Sequence, residues 1–250
     1  MTGATTLEER GRLARQRSTR AAEKVFLGGM LTTSAWFWAT IVVTSIVIVL
    51  IQDRFGGMEG SALQYTIGSA RWFMFTMGLI LVIATLPLHL AAGGTRRAFV
   101  DGLTRTSVLV GLLTGLTSAL LLLAERLAWG AVGWEWHFSQ GLAPEGDFAV
   151  TVASETLVIA TYILAGAMLP AGYQRFGAWG GSFWILALLA LVIFVDWCVH
   201  TGYVFGWATL MGAGPGRTLL GLGGGVLAVA VAAFGTNRFY RDMPLRPTIG

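Results

Sequence analysis

A single cysteine, three histidines and a low share of charged side chains remove much ordinary chemistry from this 250-residue chain. With Cys198 alone, neither an intrachain disulfide nor a cysteine-based metal site can form. Any haem or histidine–metal site would have to draw on His89, His137 and His200. The first falls at the opposite end of the apolar segments from the other two, which disfavours a bis-histidine haem between helices. Neither H-E-x-x-H nor G-x-S-x-G occurs, so a zinc protease and an elbow-type hydrolase both lack their signatures. The run Gly212-Ala213-Gly214-Pro215-Gly216-Arg217-Thr218 has neither the spacing nor the lysine of a phosphate-binding loop. The chain is therefore expected to carry no ATPase motif, metal site or cofactor site of its own, and no catalytic residue set of these types.

What is present in excess is apolar surface. Hydrophobic residues make up 55% of the chain and charged ones 12%, well outside the habit of soluble domains. The fold class is all-α and polytopic. A helix needs about 20 residues to cross the hydrocarbon core, and six runs satisfy that length to within a few residues: 26–51, 71–92, 106–124, 148–173, 182–202 and 218–235. The first run follows a long charged stretch and is too long for the core of a signal peptide. Three domains result: a basic interfacial helix or tail over 1–24, a six-span transmembrane domain over 25–236, and a tail over 237–250. The apolar segment 203–216 reads as re-entrant. Thirteen of the seventeen lysines and arginines fall on one side of these spans; Arg54, Arg71, Arg126 and Arg217 fall on the other. Cytoplasmic loops hold the excess of Lys and Arg, so both termini are expected in the cytoplasm. The arginines lie at span ends rather than in one patch, which points to topology and not to nucleic acid. The basic N-terminal stretch would be drawn to acidic lipid headgroups.

Two constellations stand out. Glu155, Asp196 and His200 lie in the outer half of the predicted spans, His200 one helical turn after Asp196. Charges in a membrane are expensive to keep. They read either as a polar site for substrate or proton, or as a structural network with Arg126, Thr161 or Tyr162; an intramembrane enzyme built on the three is a further option. The second constellation is the turn Gly93-Gly94-Thr95-Arg96-Arg97-Ala98-Phe99, followed by Asp101 and Arg105. By itself it is a topogenic positive loop. Its pattern also fits a short amphipathic helix parallel to the membrane, with Thr95 as its N-cap, Phe99 as an apolar knob and the arginines as partners for acidic groups. Glycines at 111 and 115, 177 and 181, and 221 and 225 fit close helix contacts.

The layout of spans, together with Gly94-Thr95-Arg96-Arg97-Ala98-Phe99, Glu125-Arg126 and Gly133-Trp134-Glu135-Trp136-His137-Phe138, resembles the half-size, six-span ABC-2-type transporter permeases of actinobacteria and other Gram-positive bacteria. The motif match covers about residues 85–180. The resemblance implies a bacterial cell-membrane permease subunit that works with a separate ATP-binding subunit, which carries the ATP and Mg, and with a second permease copy as a homodimer. It implies a short cytoplasmic coupling helix through which Thr95, Arg96, Arg97, Phe99 and Asp101 dock on that subunit. Apolar spans without a rich polar pore fit export of an amphipathic or lipid-like substrate. The alternative is a non-transporting scaffold or immunity-type protein acting through the tryptophan-rich outer loop.

Overall fold

The computed structural model describes residues 7–54, 60–137, 142, 147–199 and 215–241. They form five helices: α1 (Leu7–Arg54), α2 (Leu63–Ala91), α3 (Arg96–Val132), α4 (Phe148–Val199) and α5 (Pro215–Arg241). All five are long and apolar enough to cross a membrane. His200 and most of the segment expected to be re-entrant lie outside the described residues, as does the tail beyond Arg241.

Five such helices, rather than six separate ones, correct the count expected from the sequence. The residues of the fourth and fifth expected spans share α4. A straight helix of its 52 residues would be about 78 Å long, far beyond a bilayer. It is not straight: Gly177 has φ 70° and ψ −171°, a conformation essentially reserved for glycine. The two halves fold back on each other there. Trp184 Nε1 donates to the Met168 carbonyl at 3.2 Å and Tyr162 donates to Asp196 at 2.5 Å, contacts that only an antiparallel pair can make. No loop separates them because one glycine turns the chain.

Two further expectations change in the same way. The N-terminal basic stretch is not a separate interfacial helix or tail, since residues 7–24 continue without a break into the apolar part of α1. The short helix after Gly94 is likewise the first turns of α3, running on into the next apolar run. Neither junction contains a proline, and backbone hydrogen bonding propagates at little cost once a helix is nucleated.

The first half of α4 is the centre of the bundle. Residues 158–168 are buried on every side, as expected of a helix that is hydrophobic all round, and α2, α3 and α5 pack around it. Close approach depends on small residues. A Cβ on Gly111 or Gly115 would lie 2.6 Å or 2.7 Å from the carbonyl oxygens of Thr156 and Val152. A Cβ on Gly166 would overlap the Phe75 carbonyl. Helix association in lipid relies on such packing because burial from lipid has no hydrophobic driving force. Outward faces are apolar, with Trp36, Ile83, Phe183, Leu219 and Phe234 exposed.

Side-chain contacts define the two ends of the bundle. At one, α1 near Arg15 meets α3 near Asp101, and Phe99 touches His89 and Tyr240. Arg175, beside the Gly177 turn, lies over Phe239. This is the basic end. At the other, Glu125 near the end of α3 meets the start of α2.

Candidate functional site

Near the end opposite the arginine turn, three buried charges converge. Arg71 lies eight residues, or about 12 Å of helical rise, inside α2. Its Nη1 donates to Asp196 Oδ1 at 3.0 Å and its Nη2 to Glu155 Oε1 at 3.5 Å. The three side chains are 4–7% exposed. The Tyr162 hydroxyl donates to the second oxygen of Asp196, and its ring packs edge-on against Trp72 at 5.4 Å. One guanidinium thus clamps the two halves of α4 to α2. A planar fork of donors suits this role better than an ammonium.

Of the expected cluster of Glu155, Asp196 and His200, the two carboxylates both meet Arg71 and Asp196 meets Tyr162; His200 lies outside the described residues. The span expected over 71–92 puts Arg71 at its outer end, among the basic residues on the non-cytoplasmic side. Arg71 belongs to the network. The available signal was the run Ala62-Leu63-Gln64-Tyr65-Thr66-Ile67-Gly68-Ser69-Ala70, which extends the helix two turns before the arginine. Arg126 is exposed and lies over the Trp136 ring, 5.6 Å from its centroid. Thr161 bonds back to the Leu157 carbonyl in its own helix.

A further carboxylate, Glu125, is also buried. Glu125 on α3 accepts from the amides of Ala62 and Leu63 at 2.7 and 3.1 Å, from the Ser61 hydroxyl, and from Trp136 Nε1 at 3.1 Å. These amides open α2, whose own Ala62 offers no side-chain cap. Glu125 supplies that cap from another helix and sets an anion at the positive end of the α2 dipole. Trp136 is drawn into the same cluster, and Trp134 packs on Trp129 at 5.5 Å. The described outer tryptophans therefore gather around Glu125 at the end of α3, and Trp129 packs with Ala62 just ahead of α2.

At the basic end, α2 closes with the amides of Gly93 and Gly94 bonded to the Leu90 and His89 carbonyls. Thr95 caps α3, accepting from the Ala98 amide at 3.2 Å, as its position in the sequence predicts. Thr95 and Arg97 are exposed and Arg96 is half-buried. Phe99 points inward and is 1% exposed, packed against Phe26 at 5.0 Å and His89 at 5.5 Å. The apolar knob expected to face a partner instead faces the core, because a membrane-end turn has a hydrophobic bundle directly behind it. Asp101 pairs with Arg15 of α1 at 2.7 Å, both side chains partly exposed.

Among the described residues, no three of the His, Cys, Asp and Glu side chains gather as they would around a metal. His89 lies at the basic end beside Ser18, and His137 lies near Glu135 at the other. Set against family models, curated proteins and solved structures, the chain matches none.

Proposed function

We propose that the chain is the membrane-spanning subunit of an ABC-2-type transporter, paired with a separate ATP-binding subunit and with a second copy of itself. The two halves of α4 count as two crossings, giving six. The basic end faces the cytoplasm under the positive-inside rule. The carrying observation is the contrast between Arg97 and Phe99: the arginine is exposed on the turn, and the aromatic one short step later is buried among α1, α2 and α5. Thr95, Arg96 and Arg97 offer the docking surface. Phe99 and Asp101 act as the linkage, since a displacement of the turn bears directly on Phe26, His89, Tyr240 and Arg15.

In this reading ATP binding by the partner moves the turn and, through it, α1 and α2 relative to the central half of α4. Cargo passes between protomers along apolar walls, which favours export of an amphipathic or lipid-like molecule. The clamp of Arg71 on Glu155 and Asp196 keeps both carboxylates engaged, which supports a packing role over intramembrane acid–base catalysis. The engagement of Trp129, Trp134 and Trp136 within the bundle lends the scaffold alternative no support.

The test replaces Arg96 and Arg97 with glutamate and asks whether an ATP-binding protein encoded beside this chain still co-purifies. Loss of association, with thermal stability of the membrane subunit preserved, is the expected result. Unchanged association and unchanged ATP hydrolysis by the complex would sink the docking role.

A further inference from the structure

Between the first turns of α3 and the charged part of α1 lies a cavity of about 280 Å³. Arg12, Arg15, Thr19 and Arg20 line it from α1, and Asp101 and Arg105 from α3. Four guanidinium groups thus face one carboxylate, and that carboxylate is held by Arg15. The two helices that carry these side chains are packed against each other here. Gly102 lets the helices touch, since a Cβ there would lie 2.9 Å from the Ala22 methyl and 3.0 Å from the Thr19 carbonyl. Thr106 reaches the Glu23 carbonyl at 3.5 Å just beyond.

Depth decides what such a cavity meets. Lys24 is the last charge of α1 before its apolar run, and Arg105 immediately precedes Thr106, where the apolar run of α3 begins. The pocket therefore starts within about one helical turn of that boundary, at Arg20 and Arg105, and extends out through the headgroup layer, about 5–8 Å deep on each side of a bilayer, toward Arg12, about 18 Å of helical rise beyond Lys24. Arginine's planar fork binds phosphate oxygens in pairs, and basic pockets at that level attract anionic headgroups.

We propose that this pocket is a binding site for the phosphate of one anionic phospholipid headgroup, held by Arg12, Arg20 and Arg105, with Arg15 kept in place by Asp101. The site requires only that the chain lies in a membrane and does not rest on the transport reading. The sequence alone implied a diffuse attraction between a basic tail and acidic lipid; a pocket shared by two helices implies one lipid per chain.

Native mass spectrometry of the full chain, released from nanodiscs of phosphatidylglycerol and phosphatidylcholine in equal parts, provides the measurement. One retained phosphatidylglycerol is expected. The triple variant Arg12→Gln, Arg20→Gln, Arg105→Gln should lose retention by about fivefold for each arginine replaced. The control Arg175→Gln, Arg238→Gln, Arg241→Gln removes the same charge from the same end and should retain the lipid. Equal retention of phosphatidylcholine, or equal loss in the control, overturns the site in favour of general surface charge. Displacement of the lipid by millimolar glycerol 3-phosphate or inorganic phosphate, as effectively as by phosphatidylglycerol micelles, assigns the pocket to a soluble phosphate and overturns the lipid claim. Loss of the ATP-binding subunit with lipid retention intact in the triple variant makes the pocket a protein-docking surface and overturns it as well.

Discussion

The indole N–H of Trp184 donates to the main-chain carbonyl of Met168, sixteen residues earlier in the same helix, at 3.2 Å. In a continuous helix those positions would be about 24 Å apart along the axis. Their contact measures how completely Gly177 reverses the chain, and it ties the lipid-facing half of α4 to the buried half near the turn. Gly172 completes the fit, because any side chain there would overlap the Trp184 ring.

The turn should tolerate no other residue. Gly177→Ala is expected to cost about 1–3 kcal/mol, the range for a residue forced into such a conformation. Trp184→Phe keeps a ring but removes the hydrogen bond, and should cost about 1 kcal/mol. Thermal unfolding in detergent, followed by thiol-reactive dye at the single cysteine Cys198, reads both without relying on tryptophan fluorescence. A Gly177→Ala protein that unfolds at the wild-type temperature would show that the reversal is made elsewhere.

Removing the cation from the buried network should be far worse than removing all its charges. Arg71→Met leaves Glu155 and Asp196 buried together without their counter-ion, at a cost of about 3–5 kcal/mol. Adding Glu155→Gln and Asp196→Asn neutralises the set and should recover most of that loss. Recovery of stability together with retained transport would mark the network as structural. Recovery of stability with transport abolished would make the carboxylates part of the path.

Glu125 predicts a graded response. Glu125→Ala withdraws the acceptor from two amides, a hydroxyl and an indole at once, and about 2–4 kcal/mol should follow. Glu125→Gln keeps one acceptor oxygen but gives up the charge at the α2 N-terminus, so it should lose less than half as much. Differential scanning fluorimetry of the three proteins checks the order, and equal losses for Ala and Gln would contradict the cap.

Phe99 and the arginines beside it should separate stability from docking. Phe99→Ala empties a core position and is expected to cost about 3–5 kcal/mol, with the proposed ATP-binding partner still bound at temperatures where the variant remains folded. The Arg96 and Arg97 charge reversals should do the opposite. If both sets of variants lost association at unchanged stability, Phe99 would be a surface residue in the assembled complex.

Local features of this chain could be read from its sequence, and distant ones could not. Thr95 was readable as a cap because a cap depends on residues three positions away. The apolar runs were readable because crossing a bilayer is a matter of composition and length. The sequence also put Glu155 and Asp196 at one depth by helical rise alone. Arg71 was missed because its partners lie 84 and 125 residues later, a pairing that no local pattern encodes. The direction of Phe99 was missed for a related reason: which face of a short turn is covered depends on where α1 and α5 return. The gap of 174–181 between two expected spans already marks a short turn around Gly177, but glycine permits a turn without announcing how tight it is.

The placement of Arg71 also has a bearing on how the protein is made. During synthesis at about 5–20 residues per second, Glu155 emerges 84 residues after Arg71 and Asp196 another 41 later, so the arginine waits roughly 4–25 s for its counter-ions. An isolated α2 would have to leave the insertion machinery with an unneutralised cation two turns inside it. We therefore expect α2 to stay beside the translocation channel until the α4 hairpin arrives, so that the buried clamp acts as a checkpoint for assembly order; ribosome-stalled chains ending before Glu155 that released α2 freely into lipid would exclude such a delay.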